Sequence, residues 1–135
     1  MKLYRFTLKG RPVTKKRPRF FHGKEGQHKV YNPTDDDEFT ARCFIMSWMN
    51  RRGYTTIDET CEVHARCYFK GGNVGDVDNY LHFVIEVLQG KPKGSIKTLI
   101  KNDKLVWKAT VEKHMVETKD EERTEVEIKI NGGEG

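Results

Sequence analysis

The stretch "CEVHARCYFKGGNVGDVDNYLHFVIEVLQG", residues 61 to 90, decides the fold. Its first part alternates. Cys61, Val63, Ala65, Cys67 and Phe69 point one way, and Glu62, His64, Arg66, Tyr68 and Lys70 the other, which is the period of a half-buried strand. "GGNVG" turns the chain. From Asp78 the pattern becomes helical, apolar over much of its circumference and therefore buried, and Gly90 ends it. A strand, a turn and a buried helix in succession begin an α/β layer. The turn also carries something that packing does not require: Asp76 and Asp78, two residues apart at the helix entrance.

Near the start of the chain, "KLYRFTL" alternates and reads as a first strand. Residues 9 to 29 are broken by Pro12, Pro18, Gly23 and Gly26 and read as a loop or loose hairpin, with a short strand at "KVY". Residues 35 to 52 read as a helix. Thr34 is its cap, Asp35, Asp36, Asp37 and Glu38 fill its first turn, and Gly53 follows Arg51 and Arg52 at its end. Phe39, Cys43, Met46, Phe44 and Trp48 supply its apolar stripe. After Gly90, "KPKGSIKTLIKND" reads as a basic connector. "KLVWKATVEKHMVE" is a long strand with Leu105, Trp107, Ala109 and Val111 inward, "KDEER" a turn, "TEVEIKI" a last strand, and "NGGEG" a frayed tail. The expected architecture is α/β: a single domain over residues 1–135, a mixed sheet with two main helices packed on it.

The composition fits one core. The 135 residues are 36% hydrophobic and 33% charged, with a net charge of +5. A basic balance favours nucleic acid or an anionic membrane as partner. No apolar run approaches the roughly 18 residues of a membrane span, and the opening "MKLYRFTLKG" has no signal-peptide pattern. Cys43, Cys61 and Cys67 fit neither a zinc site nor an even disulfide set, so reduced core cysteines and a cytoplasmic location are expected.

The aspartates carry the chemistry. One carboxylate suffices to cap a helix, and the plain reading has Asp78 capping and Asp76 solvated. A second carboxylate adds repulsion of about 1 kcal/mol at 4 Å even in water. Both stand between two buried elements, and a further acid, Asp103, lies between a basic segment and a strand start. Carboxylates converging from rigid ends are how proteins hold Mg²⁺, which activates water in phosphodiester hydrolysis. Spacing alone does not bring Asp103 to the pair.

"GDVDNYLHFVIEVLQG…IKNDKLV" resembles the RusA family of Holliday junction resolvases. That family carries Asp-x-Asp-Asn, then a helix ending Asp-Ala-Leu-x-Gly, then Asp-Asp-x-Gln at a later strand start. Asp76, Asp78 and Asn79 match the first part, Glu86, Leu88 and Gly90 the second loosely, and Asp103 the second aspartate of the third. "KGRPVTKKRPRF" resembles a further segment, Gly-x-Pro-x-x-x-x-Arg-Pro-Arg. The chain departs from the family at His82, where a lysine is usual, and at Asn102 and Leu105, in place of Asp and Gln. The resemblance implies a homodimer that resolves four-way junctions and other branched DNA in recombination and repair, of a type frequent in phage. It implies Asp76, Asp78 and Asp103 as ligands of Mg²⁺, with Mn²⁺ as substitute, and His82 as a catalytic group near the scissile phosphate. A partner is expected to cover apolar surface including Trp48 or Trp107.

DNA contacts are expected from Lys15, Lys16, Arg17, Arg19 and the adjacent Phe20, a proline-stiffened basic run ending in aromatics, and from Lys97 and Lys101 ahead of Asp103. Two other readings are a nucleic-acid-binding protein of the same fold that no longer cuts, and a metal-dependent glycosyl- or nucleotidyltransferase. The absence of a Gly-rich phosphate loop and the small size weigh against the second.

Overall fold

The computed structural model describes residues 2–15, 19–22, 28–31, 35–89 and 97–131; for residues 19–22, 28–31 and 35 only the backbone is described. In chain order the elements are β1 (Leu3–Lys9), β2 (Arg19–His22), β3 (His28–Tyr31), α1 (Asp35–Arg52), β4 (Cys61–Phe69), α2 (Val77–Leu88), β5 (Val106–Met115) and β6 (Arg123–Ile130). Four strands form one sheet in the order β1-β6-β4-β5. β6 runs antiparallel to both its neighbours, β1 and β4, whereas β4 and β5 are parallel. Two parallel neighbours need a crossover, and α2 lies in it. The expected mixed sheet with two helices is therefore present, and the loop after β1 contains a regular antiparallel hairpin, β2 with β3.

Both helices pack on one face of the sheet. β4 alternates buried and half-buried along its whole length, as the period of two requires, and β6 does the same. Val63, Ala65, Val126 and Ile128 meet Ile45 and Met49 of α1 and Val84, Val87 and Leu88 of α2 in one core, all nearly inaccessible. At about 25 cal/mol per Å² of apolar area removed from water, this layer is the main force holding the sheet to the helices. Among the described residues no helix is long and apolar enough to cross a membrane.

Four local expectations are corrected. The α1 limits hold, but its buried face does not follow the expected stripe: Phe39 and Phe44 are exposed, and Ala41, Ile45, Trp48 and Met49 face inward with Glu38 and Arg42. The charged pair occupies the inner face because its members neutralise each other there. Trp48 packs between Phe6 and Tyr54, each with ring centroids 5.2 Å away, so it is core rather than partner surface. The basic connector dips into the protein before its exposed end: Leu99 and Ile100 are fully buried, and Ile100 bridges Ile57 and Gln89. On β5, Trp107 is 74% exposed and Ala109 is also exposed. A bulge sets Trp107 between Val106, opposite Cys61, and Lys108, opposite Glu62, so the expected alternation is interrupted there. Val111 of the same row does pack on the core.

Candidate functional site

The turn that follows β4 is built to hold a fixed shape. Gly71 and Gly72 both take left-handed backbone angles, φ 58° and 78°, which side chains other than glycine resist. A Cβ on Gly72 would lie 3.1 Å from Arg11 Nη2. That closeness is functional, because Arg11 Nη2 donates to the carbonyls of Gly71 and Asn73 at 2.9 and 3.0 Å. Its Nη1 donates to Glu122 Oε2 at 2.6 Å, and the guanidinium lies over the Phe69 ring. Farther along, the Gly75 N–H donates to Tyr80 Oη at 2.9 Å, and Lys113 Nζ donates to the Gly75 carbonyl at 3.0 Å. Residues of β4, β5 and α2, with Arg11 just after β1 and Glu122 just before β6, all fix this turn.

Asp76 and Asp78 leave it at the start of α2, and both are exposed. The N-cap is Asp76, not Asp78 as the sequence suggested, and its side chain makes no capping hydrogen bond. Asp78 sits in the first helical turn, where the helix dipole favours an anion. His82 is exposed one turn on, four residues after Asp78 and so on the same helix face. The pair lies beyond the carboxyl ends of the parallel strands β4 and β5, the side on which open α/β sheets bind their ligands.

The basic segment after β1 runs against this same end. The Lys15 N–H donates to the Asn79 carbonyl at 3.0 Å. The Lys15 ammonium pairs with Glu38, which is fully buried and pairs also with Arg42 Nη1 at 3.3 Å. Arg42 Nη2 donates to the Glu86 carbonyl at 2.5 Å. Lys15 is therefore a tether that ties the segment to α1 and α2, not a free cation facing solvent. Lys16 and Arg17 lie outside the described residues; Arg19 and Phe20 fall in β2, where their side chains are not described.

Asp103 stands elsewhere. It opens a short 3₁₀ turn, Asp103–Leu105, which Asn102 caps by accepting the Lys104 N–H at 3.0 Å. The Asp103 N–H donates to Gln89 Oε1 at 3.0 Å, so Asp103 sits at the far end of α2 from Asp76 and Asp78. Twelve helical residues separate the two ends by roughly 18 Å at 1.5 Å per residue. Lys97 and Lys101 share the Asp103 end, reaching Asn50 and Asp58 at 3.3 and 3.5 Å. Among the described residues no three His, Cys, Asp or Glu side chains form a group able to hold a metal ion. Within one chain, the expected three-carboxylate Mg²⁺ site is not closed.

Three participants were not legible from the sequence in these roles. Arg11 read as one more cation of a run, Lys113 as a strand lysine, and Glu38 as a helix-entrance acid. Only the apolar neighbours of Glu38 and Arg42, four residues apart on one face, hinted at a buried pair. Cys61 and Cys67 are buried free thiols and Cys43 is half-buried. Burial pushes the Cys67 thiol up to about 11. No protein-family model matches the chain, and no curated protein is similar to it.

Proposed function

We propose that the chain is a Mg²⁺-dependent endodeoxyribonuclease that acts on branched DNA, four-way junctions among them, as a homodimer. The observation that carries this reading is the pair Asp76 and Asp78, both exposed on a braced turn, with no capping hydrogen bond from the Asp76 side chain. A basic segment tethered alongside supports it, since a polyanionic substrate needs nearby cations to approach two carboxylates. Asp103 takes part only as a residue of a second copy, because in its own chain the length of α2 keeps it from the pair. The homodimer then follows from the site as well as from the two-fold symmetry of a junction. Mg²⁺, when bound, supplies the charge that offsets the carboxylates and the phosphate; the protein supplies their placement and the exposed imidazole of His82 beside them.

A second reading, a nucleic-acid-binding protein that does not cut, is favoured by the separation of Asp103 from the pair. One assay distinguishes them: a synthetic four-way junction and a matching linear duplex, each with and without Mg²⁺. The expected result is Mg²⁺-dependent cutting of the junction alone. Asp76→Asn should lower the rate by orders of magnitude while junction binding persists. His82→Ala should lower it, and His82→Lys should retain it. Junction binding with no cutting at any Mg²⁺ concentration leaves the second reading; unimpaired cutting by Asp76→Asn removes the aspartate pair from the site.

A further inference from the structure

β5 is an edge of the four-stranded sheet, with β4 on one side and, among the described residues, no strand on the other. Its ten residues present about 33 Å of strand edge at roughly 3.3 Å per residue, a template for another strand. Registered against β4, the residues Ala109, Val111, Lys113 and Met115 share the helix-side face, and Lys108, Thr110, Glu112 and His114 share the open face. Met115 of the helix-side row is 65% exposed at this rim, and Trp107, a bulge residue between Val106 opposite Cys61 and Lys108 opposite Glu62, is 74% exposed. On the open face Glu112 Oε2 and Oε1 pair with His64 and His114 at 2.9 and 2.8 Å, and the carboxylate stays half-exposed.

From this edge we infer that a second copy of the chain docks along β5, antiparallel, joining two four-stranded sheets into one, with the two-fold axis at Thr110. The charges select that register. With Thr110 opposite itself, Lys108 faces Glu112 of the second copy, and the same pair recurs on the other side of the axis. Ala109 faces Val111 of the second copy, an apolar pair on each side of the axis. Moving the axis to Val111 sets Lys108 against His114 and loses both charge pairs. The opposite edge of the sheet does not offer this: β1 carries Arg5 and Lys9 and no acidic residue, so self-pairing there sets cations together.

The arrangement also bears on the carboxylates. Through Lys113 the carboxyl end of β5 lies beside Gly75 and the Asp76 turn. Antiparallel pairing brings the start of the second copy's β5 to that end, and with it Asp103 of the second copy. This link rests on the nuclease reading; the interface itself rests on the strand edge.

The test reads association, not cutting. In a Cys43→Ser background, Thr110→Cys should form an intermolecular disulfide under mild oxidation, whereas Lys108→Cys and Val111→Cys should not. Light scattering at micromolar concentration should give twice the 15.8 kDa chain mass. Lys108→Glu should raise the dimer dissociation constant about tenfold by turning two attractions into repulsions, and adding Glu112→Lys should restore it. A monomer mass, or a dimer in which Thr110→Cys does not link, overturns the interface. Linking through Val111→Cys instead overturns the register and the charge argument with it. A protein that links yet never cuts leaves the interface standing and removes the nuclease reading; one that cuts as a monomer overturns the interface and the shared-site form of that reading, and leaves only the cutting.

Discussion

Glu38 shows how much a single side chain can decide. It is fully buried, and two cations from different parts of the chain, Lys15 and Arg42, converge on it. Removing one partner of such a pair leaves a buried charge without compensation, which costs about 3–5 kcal/mol. Glu38→Gln should therefore lower the urea midpoint sharply. Glu38→Leu with Arg42→Leu should recover most of the loss, because Lys15 is partly exposed and can turn to solvent. Equal stability of the single and double variants would show that the pairing contributes nothing. The aspartates behave differently: they are exposed, so Asp76→Asn and Asp78→Asn should leave the urea midpoint nearly unchanged while altering function. Sequence patterning marked Asp76 and Asp78 because they break a rule of economy at a helix entrance. It missed Glu38 because a charged residue on a helix is read as surface, and nothing in a linear sequence says that two cations wait on the inner side.

Among the elements, those whose two faces differ sharply were the most legible. β4 and β6 alternate in sequence and in burial, and α1 has the limits its acidic start and Gly53 suggest. β5 alternates in sequence too, yet a bulge at Trp107 breaks its register with β4 and the ring stays in solvent, since a linear pattern does not show where a strand slips or whether anything covers it. The connector before Asp103 hid its buried Leu99 and Ile100 among lysines. The distance of Asp103 from the pair was illegible for a related reason: it depends on which end of α2 the returning chain meets. The turn between β4 and α2 gives a prediction at this scale. The Lys70 N–H holds the Glu122 carboxyl below the usual carboxylate range, and Arg11 adds to it. A carboxyl depressed in the folded state stabilises the protein above its unfolded value, near 4.3, and that stability disappears as pH falls through the lower folded value. The wild-type urea midpoint should thus fall on acidification from about pH 5, and Glu122→Gln should make the fall shallower. Parallel curves for the two proteins would remove Glu122 from the acid response.

For the whole molecule, net charge and tethering divide the cations into two kinds. The chain carries +5 overall, but Arg11 and Lys15 are engaged within the fold. Lys16, Arg17 and Arg19 follow the tether and are the ones expected to meet phosphates. Changing those three to Ala should weaken DNA binding and flatten its salt dependence, the slope falling by roughly 0.9 for each phosphate that the variant no longer neutralises. Lys15→Ala should instead lower stability and leave the slope as it was. An unchanged slope in the triple variant would assign the run to solvated surface.

The strand order has a further consequence for how the molecule comes into being. β6 lies in the interior of the sheet, between β1 and β4, although it is the last strand in the chain. A nascent polypeptide that has reached β5 can form the β4–α2–β5 crossover, whose contacts are local. β1 must wait, since its partners arrive more than a hundred positions later; Arg5 and Glu127 are 122 apart. Until then Tyr4 and Phe6 have no sheet to join, and closing so long a loop slows the final step. Pulse-labelled hydrogen exchange during refolding should find the β4 and β5 amides protected first, and β1 and β6 together, last.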